Sequence, residues 1–356
     1  MDVFSLLNVF DDVINDGDVH HAATVEVENF WLRKLPFNVQ MLGHCDGIIC
    51  LQYPNDIIVL CNPAIKEFNL LPESCLLHPP WPRWHIGIDK GEEIITYSNA
   101  AGFSYDSKTK QYKVVRIVNF LPRPSSEEEV CTPRRKAEVY TLGANSWRVI
   151  ECDIKANVFW MASFDMYFKG IFYWYAASVP QDNEVILSFD MSDEVFHNIP
   201  LPDNFRNING WLKSLAVRND SIALLLYNRG GDNTQFSSFE IWVMDDSKEV
   251  KGSCIKHLSI GTLQDILIPL KIWKSDELLI VSANGHIVFY NLSTKTRKYV
   301  SIRGVDNPRF IQAAVYVNSV ISVKGDNTLH VLSRETTRLI EGSNVFAYIE
   351  SGGLPL

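Results

Sequence analysis

Short apolar runs rich in Val, Ile, Phe and Tyr recur along the chain, each cut off by Gly, Pro, Asn, Asp or Lys. Such runs suit a pleated, half-buried surface and predict β-strands. The stretch EVILSFDMSDEVFHNIPLP, 184–202, shows the pattern most plainly: a β-run at 185–189, a polar turn at 190–194, and a second run at 195–199. Asp and Ser stabilise such a turn by bonding the local backbone, so the stretch predicts a hairpin. The same phrase returns at 56–72, 137–150, 239–260 and 286–302. Two further β-runs precede each hairpin, at 39–45 and 47–53, 102–106 and 113–118, 161–166 and 170–176, 212–217 and 221–227, and 266–273 and 277–283. No window of a dozen residues sustains the i, i+3, i+4 apolar spacing of a helix.

Groups of four antiparallel strands repeating at roughly 45 residues have the period of propeller blades. A lone blade cannot bury both faces; radial packing buries them and leaves only short edges. Five blades are complete in the sequence. A sixth is expected to be split, with 310–317 and 319–323 from the C-terminal end and 4–10 and 24–30 from the N-terminal end. The run 328–340 resembles another outer hairpin, which leaves an all-C-terminal closing blade or a seventh blade as alternatives. The expected fold is therefore all-β: a β-propeller of kelch or galactose-oxidase type, with about six four-stranded blades and a ring closed by N- and C-terminal strands. Residues 1–38 are read as strands closing the last blade, 39–342 as the propeller, and 343–356 as a C-terminal tail.

Composition narrows the function. The chain has 356 residues, 46% of them hydrophobic and 21% charged, which marks a folded protein rather than a disordered one. A net charge of −9 excludes a general binder of nucleic-acid phosphates, which needs a basic face. Seven cysteines, odd in number and without paired metal spacing, point to free thiols in a reducing compartment, and no apolar run approaches a membrane span. The expected location is the cytoplasm, with the nucleus as a second compartment.

Several segments then carry a resemblance. GHCDGIICL (43–51), NPAIKEFNLLP (62–72), GFSYDSKTKQYKVVRI (102–117), VYTLGANSWR (139–148), ILSFDMSDEVF (186–196) and EIWVM (240–244) follow one another as in the plant F-box-associated domain. The wording is most similar to S-locus F-box and S-locus F-box-like proteins. The resemblance implies a substrate receptor: an F-box docks on the Skp-type adaptor of a cullin ubiquitin ligase, and the associated domain captures a protein target. For S-locus members that target is a non-self pistil ribonuclease, a secreted-type enzyme. Residues 1–38 depart from the pattern, because they read as β-runs around an acidic loop instead of the helical F-box. The adaptor and cullin are thus expected as partners only if an F-box lies upstream.

Physically, these motifs read as structure. Gly43 and Gly47 are expected to bracket a tight turn, Pro63 to set a turn dihedral, and Asp106 to offer side-chain oxygens to the 107–110 turn. Trp147, Trp174 and Trp242 are expected to pack between blades. His44, Cys45, Asp46 and Cys50 lack the second ligand pair that zinc needs and the base that a nucleophile needs. No catalytic, metal or cofactor residues are assigned, and no cofactor is expected. The alternative reading is a propeller enzyme acting on a carbohydrate or small molecule, although no spacing singles out two carboxylates.

Loop length points to the binding face. In a four-stranded meander the turns between strands one and two and between three and four open on one face, and here they are short. The segments opening on the other face are long: 73–98, 119–135, 177–184, 203–210 and 228–238. Long loops on a rigid scaffold are where binding residues gather, and Trp and Arg dominate interface hot spots. The expected partner-binding residues are Trp81, Arg83, Trp84 and His85, then Arg123, Glu127, Glu128, Glu129, Arg134 and Arg135, with Asp182, Arg229 and Phe236.

Overall fold

The computed structural model describes residues 3–9, 25–29, 39–53, 56–78, 94–123, 133–159, 166–179, 181, 183–201, 211–229, 236–244, 254–261, 266–273, 276–282, 286–300, 312–317, 319–324 and 344–349. Two strands come first, β1 (Val3–Val9) and β2 (Val25–Asn29). Blade 1 runs through β3 (Gln40–Cys45), β4 (Ile48–Gln52), β5 (Ile58–Asn62) and β6 (Glu67–Leu70). Blade 2 follows with β7 (Ile94–Asp106), β8 (Gln111–Pro122), β9 (Arg134–Thr141) and β10 (Ser146–Ile150). Blade 3 holds β11 (Ala156–Val158), β12 (Met166–Phe168), β13 (Ile171–Ser178), β14 (Glu184–Asp190) and β15 (Val195–Pro200). Blade 4 is β16 (Trp211–Arg218), β17 (Ser221–Arg229), β18 (Phe236–Met244) and β19 (Cys254–Ile260). Blade 5 is β20 (Ile266–Trp273), β21 (Glu277–Ser282), β22 (Ile287–Asn291) and β23 (Arg297–Val300). The order ends with β24 (Gln312–Tyr316) and β25 (Asn344–Ile349).

The expected architecture needs correction. The described side chains define five blades, each from one continuous stretch, where about six four-stranded blades were expected. Blade 3 has five strands, because β11 and β12 both pair with β13. The closing blade is not formed as drawn from 310–317, 319–323, 4–10 and 24–30, since 319–323 is not a strand and Asn344–Ile349 pairs between β1 and β24 in its place. Segment 319–323 is held by side chains of blade 1. Asn62 Nδ2 donates to the carbonyls of Ser319 (3.0 Å) and Ile321 (2.8 Å), and Asn69 Nδ2 to that of Val323 (2.8 Å). Glu67 accepts from Ser322 Oγ (2.7 Å) and from the Val323 amide (3.1 Å). These side chains occupy backbone groups that a neighbouring strand would otherwise pair. The terminal strands pair in the order β2-β1-β25-β24, with side chains almost wholly outside the described residues. The run 328–340 lies outside them too.

Four hairpin turns share one local chemistry: an Asx residue enters the turn and accepts backbone amides with its side chain. Asn62 bonds Ala64 N, Asp106 bonds Lys108 N and Thr109 N, Asp190 bonds Ser192 N and Asp193 N, and Asn291 bonds Ser293 N and Thr294 N. Each turn then closes on a residue of positive φ: Lys66 (56°), Lys110 (60°), Glu194 (57°) and Lys295 (60°). The Asx bonds offset the cost of a left-handed residue that carries a Cβ. Gly47, at φ 78°, takes the corresponding place after Asp46 in the β3–β4 turn. Gly43 was expected to bracket that turn but lies within β3, where the pairing with β4 shifts register.

Successive strand residues point to opposite faces, so each buried strand serves two interfaces. In β8, Val114 packs with Phe103, Tyr140 and the blade 1 residues Cys50 and Leu60. Its neighbour Val115 packs on the other side with Phe172, Trp174 and Leu187 of blade 3. Blades 3 and 4 meet through Tyr173, Ile186, Leu224 and Leu226, and blades 4 and 5 through Leu225, Ile241, Leu278 and Ile280. Trp174 is fully buried and donates from Nε1 to Ala101 O (3.2 Å), which ties blade 3 to blade 2. Trp147 of blade 2 donates likewise to Pro72 O (2.8 Å). Trp242 is only half-buried, its Nε1 bonded to Glu240 (2.8 Å).

Candidate protein-interaction surface

On the short-turn face, neighbouring blades are bonded to each other. Tyr112 OH donates to Asp46 (2.9 Å), which joins blades 2 and 1. Asp106 reaches blade 3. Its buried carboxylate accepts from Ser192 Oγ (2.6 Å), Thr109 Oγ1 (2.6 Å) and Lys113 Nζ (2.7 Å). Lys113 Nζ also reaches Met191 O and Glu194, both at 3.0 Å, and Arg148 caps the same Glu194 (2.8 Å). Burial alone would raise the Asp106 pKa, but bonds from Lys113, Ser192, Thr109 and the Lys108 amide outweigh it and hold the carboxyl well below its usual range. Lys169–Asp220 joins blades 3 and 4 (2.6 Å), and Arg218–Asp276 joins blades 4 and 5 (3.2 Å). The side chains of this face are largely spent on holding blades together.

Deeper between blades 1 and 2 lies a second polar knot. Arg116 sits 3.5 Å from Glu138, donates to Asp56 O (2.9 Å), and lies over the Trp147 ring at 4.7 Å. Glu138 accepts from the Leu76 amide (3.2 Å) and the Cys75 thiol (3.1 Å). Burial, helped by the bond to Glu138, pushes the Cys75 thiol up to about 12, so it is protonated and unreactive at neutral pH. Burial also lowers the Arg116 pKa, against the pull of Glu138. This knot positions the start of the 73–98 segment and carries no reactive group.

The opposite face differs. Strands β7 and β8 are the longest of the described strands and run on past the blade body toward the long-loop side. Parts of two expected loops are thereby strand: Ile94 pairs with Pro122, Tyr97 with Asn119, and Asn119 in turn with Arg135. Tyr97, Asn119 and Arg135 form one row across three strands, with Thr96, Phe120 and Arg134 in the next. Ile95 is 51% exposed and Tyr97 37%, high values for large apolar side chains at the tip of a paired strand. Arg134 is exposed and Arg135 half-buried. Among the described residues the Arg135 Nε and Nη2 atoms have no hydrogen-bond partner, and burial lowers its pKa while Tyr97 works to raise it. The tip therefore presents apolar surface beside guanidinium groups, a combination suited to protein contact.

Of the expected binding residues, Arg123, Arg134 and Arg135 gather around this tip. Arg229 and Phe236 were expected in a loop but are strand residues paired across β17 and β18, at a register shift. Trp81, Arg83, Trp84, His85, Glu127, Glu128, Glu129 and Asp182 lie outside the described residues. Ile95 and Tyr97 were missed. The alternation of IITY was the available signal, but the 73–98 segment was taken whole as a loop. No group of three or more His, Cys, Asp or Glu side chains among the described residues is placed to hold a metal, and no described helix is long and apolar enough to cross a membrane.

Comparison with known proteins gives the family. The F-box associated beta propeller domain matches residues 6–329. The F-box/kelch-repeat protein At3g23880 of Arabidopsis thaliana is 26% identical over 285 residues, covering 80% of this chain and 69% of that protein. The Arabidopsis F-box protein CPR1 is 25% identical over 309 residues, covering 81% and 69%. The putative F-box protein At3g21120 of the same plant is 24% identical over 213 residues; the chain covers half of its length. With the match spanning most of the chain and the blades laid out in the same segments that carry the motifs, this protein belongs to the F-box-associated β-propeller family.

Proposed function

We propose that the propeller is the target-capture module of a ubiquitin-ligase substrate receptor and reads a protein partner with its long-loop face. The single observation that carries this reading is the projecting β7–β8 tip. It leaves Ile95, Tyr97 and Arg134 exposed, while the facing turns across the ring are committed to inter-blade bonds. Exposed aromatic and apolar side chains next to Arg are what an interface core uses, and a rigid scaffold lowers the ordering cost of binding. The propeller is assigned to 39–342, and the S-locus-like wording of the motifs supports a secreted-type ribonuclease as the target. Recruitment of a Skp-type adaptor and cullin requires an F-box, and such a complex would act in the cytoplasm or nucleus. The test is a binding panel of pistil-type ribonucleases against the wild-type chain and the double variant Ile95→Glu/Tyr97→Ala. Binding of at least one ribonuclease, lost in the variant, is the expected result; binding that survives the substitutions would remove the face assignment, and no binding across the panel would remove the ribonuclease.

A further inference from the structure

At the inner edge of the propeller β3 packs on β7, β16 on β20, and β24 on both β20 and β3, so side chains from distant parts of the sequence come together there. One such meeting is unlike the rest. Lys271 of β20 and His44 of β3 lie 227 positions apart in sequence, yet Lys271 Nζ is 3.2 Å from His44 Nε2. Both are half-buried, and neither bonds any other polar side chain among the described residues. The four cations that are fully buried among the described residues each have a carboxylate: Lys113 has Asp106, Arg116 has Glu138, Lys213 has Glu184 and Arg218 has Asp276. Lys271 has an imidazole.

That substitution of partner matters physically. An ammonium carries three donors, and His44 can accept only one of them. Burying a cation without a counter-charge is costly, and a structure that does so gains whenever an anion arrives. Burial shows in both groups: it lowers His44 to about 3, with the Lys271 charge adding to the effect, and lowers Lys271 to about 8. The imidazole is therefore neutral at pH 7 and accepts, while the amine remains mostly protonated with donors to spare. The nearest acid along β3, Asp46, is engaged by Tyr112 OH. His44 stands next to Cys45, the last residue before the β3–β4 turn, so the pair sits near the short-turn mouth of the ring, away from the β7–β8 tip.

We propose that Lys271 and His44 form an anion site at the inner edge of blades 1 and 5 that takes a carboxylate, supplied either by a free small organic acid or by an acidic side chain of a bound protein. The ammonium provides the charge, and the imidazole holds it in place. The inference is independent of the substrate-capture reading, since the two sites lie at opposite ends of the blades.

The test follows the His44 ring signals by NMR in the full chain labelled in histidine, assigned by comparison with His44→Gln. Sodium acetate is titrated against sodium chloride at constant ionic strength. At pH 7 acetate should move the His44 signals saturably, because the carboxylate takes up ammonium donors beside the ring; chloride should not. Lys271→Met should abolish the response, and Lys271→Arg, which keeps the charge if the Met variant does not fold, should retain it. A capped tetra-glutamate peptide separates the sources: saturation by the peptide points to a protein side chain, and saturation by acetate alone to a small acid. A response that is linear and identical for acetate and chloride, or unchanged in Lys271→Met, overturns the proposal.

Discussion

Asp106 offers the sharpest test of how the propeller is held together. Its side chain is fully buried, paired at 2.7 Å with a Lys113 that is 6% exposed, and it also accepts two hydroxyl bonds, one from the next blade. Asp106→Ala leaves Lys113 buried with Glu194 and Met191 O as remaining partners. Removing one member of a buried pair costs about 3–5 kcal/mol, and the surviving partners place this case at the low end, about 3 kcal/mol. That is roughly a hundredfold fall in the ratio of folded to unfolded chain. Urea denaturation followed by tryptophan fluorescence reads it, and a double-mutant cycle with Lys113→Met should show about 1.5 kcal/mol of coupling or more. Acidity gives an independent check. The folded pKa lies below the ordinary value of 3.8, so the carboxylate's contribution is complete above about pH 4 and is lost as pH falls through the folded value. Wild type should therefore lose stability steeply below about pH 4, and Asp106→Ala less so over the same window. A cost below about 1 kcal/mol, or no coupling to Lys113, would refute the idea that this signature motif clamps blade 2 to blade 3.

Other outcomes follow from the same geometry. Gly102→Ala would place a Cβ 2.6 Å from the Phe172 ring, so it should destabilise by about 1–3 kcal/mol in the same urea assay. Gly47→Ala should be worse, because its Cβ would lie 2.3 Å from Ser319 Cβ at a φ of 78°. By contrast, Lys108→Ala removes an ion pair in which both side chains are mostly exposed, and the urea midpoint should not move. Cys75 should resist iodoacetamide at pH 7.5 in the native protein and react readily once urea unfolds the chain, as mass spectrometry would show.

The blades were legible because their determinants are local. An Asx residue, a short polar turn and a left-handed Lys or Glu recur between β-branched runs, and each piece fits within a dozen residues, as at Asp190–Glu194. What could not be read was whatever depends on contact between blades. Residues 319–323 have the composition of a strand, yet Asn62 and Glu67 claim the backbone groups a strand would pair. Strand β11, three residues long, is too short for alternation to announce it. On the long-loop side, segments read as loop proved to be paired strand carrying Ile95 and Tyr97, because the alternation of IITY is only four residues long. Lys271 and His44 gave no local sign at all, since 227 positions separate them.

The central claim is that a protein partner meets the long-loop face. A photo-crosslinking residue placed at position 97, on the β7–β8 tip, and another at 169, in the bonded β12–β13 turn, test it within one experiment in plant cells. The account predicts that position 97 captures a defined protein target while position 169 captures none. The same target crosslinked from position 169 and not from 97 would contradict it.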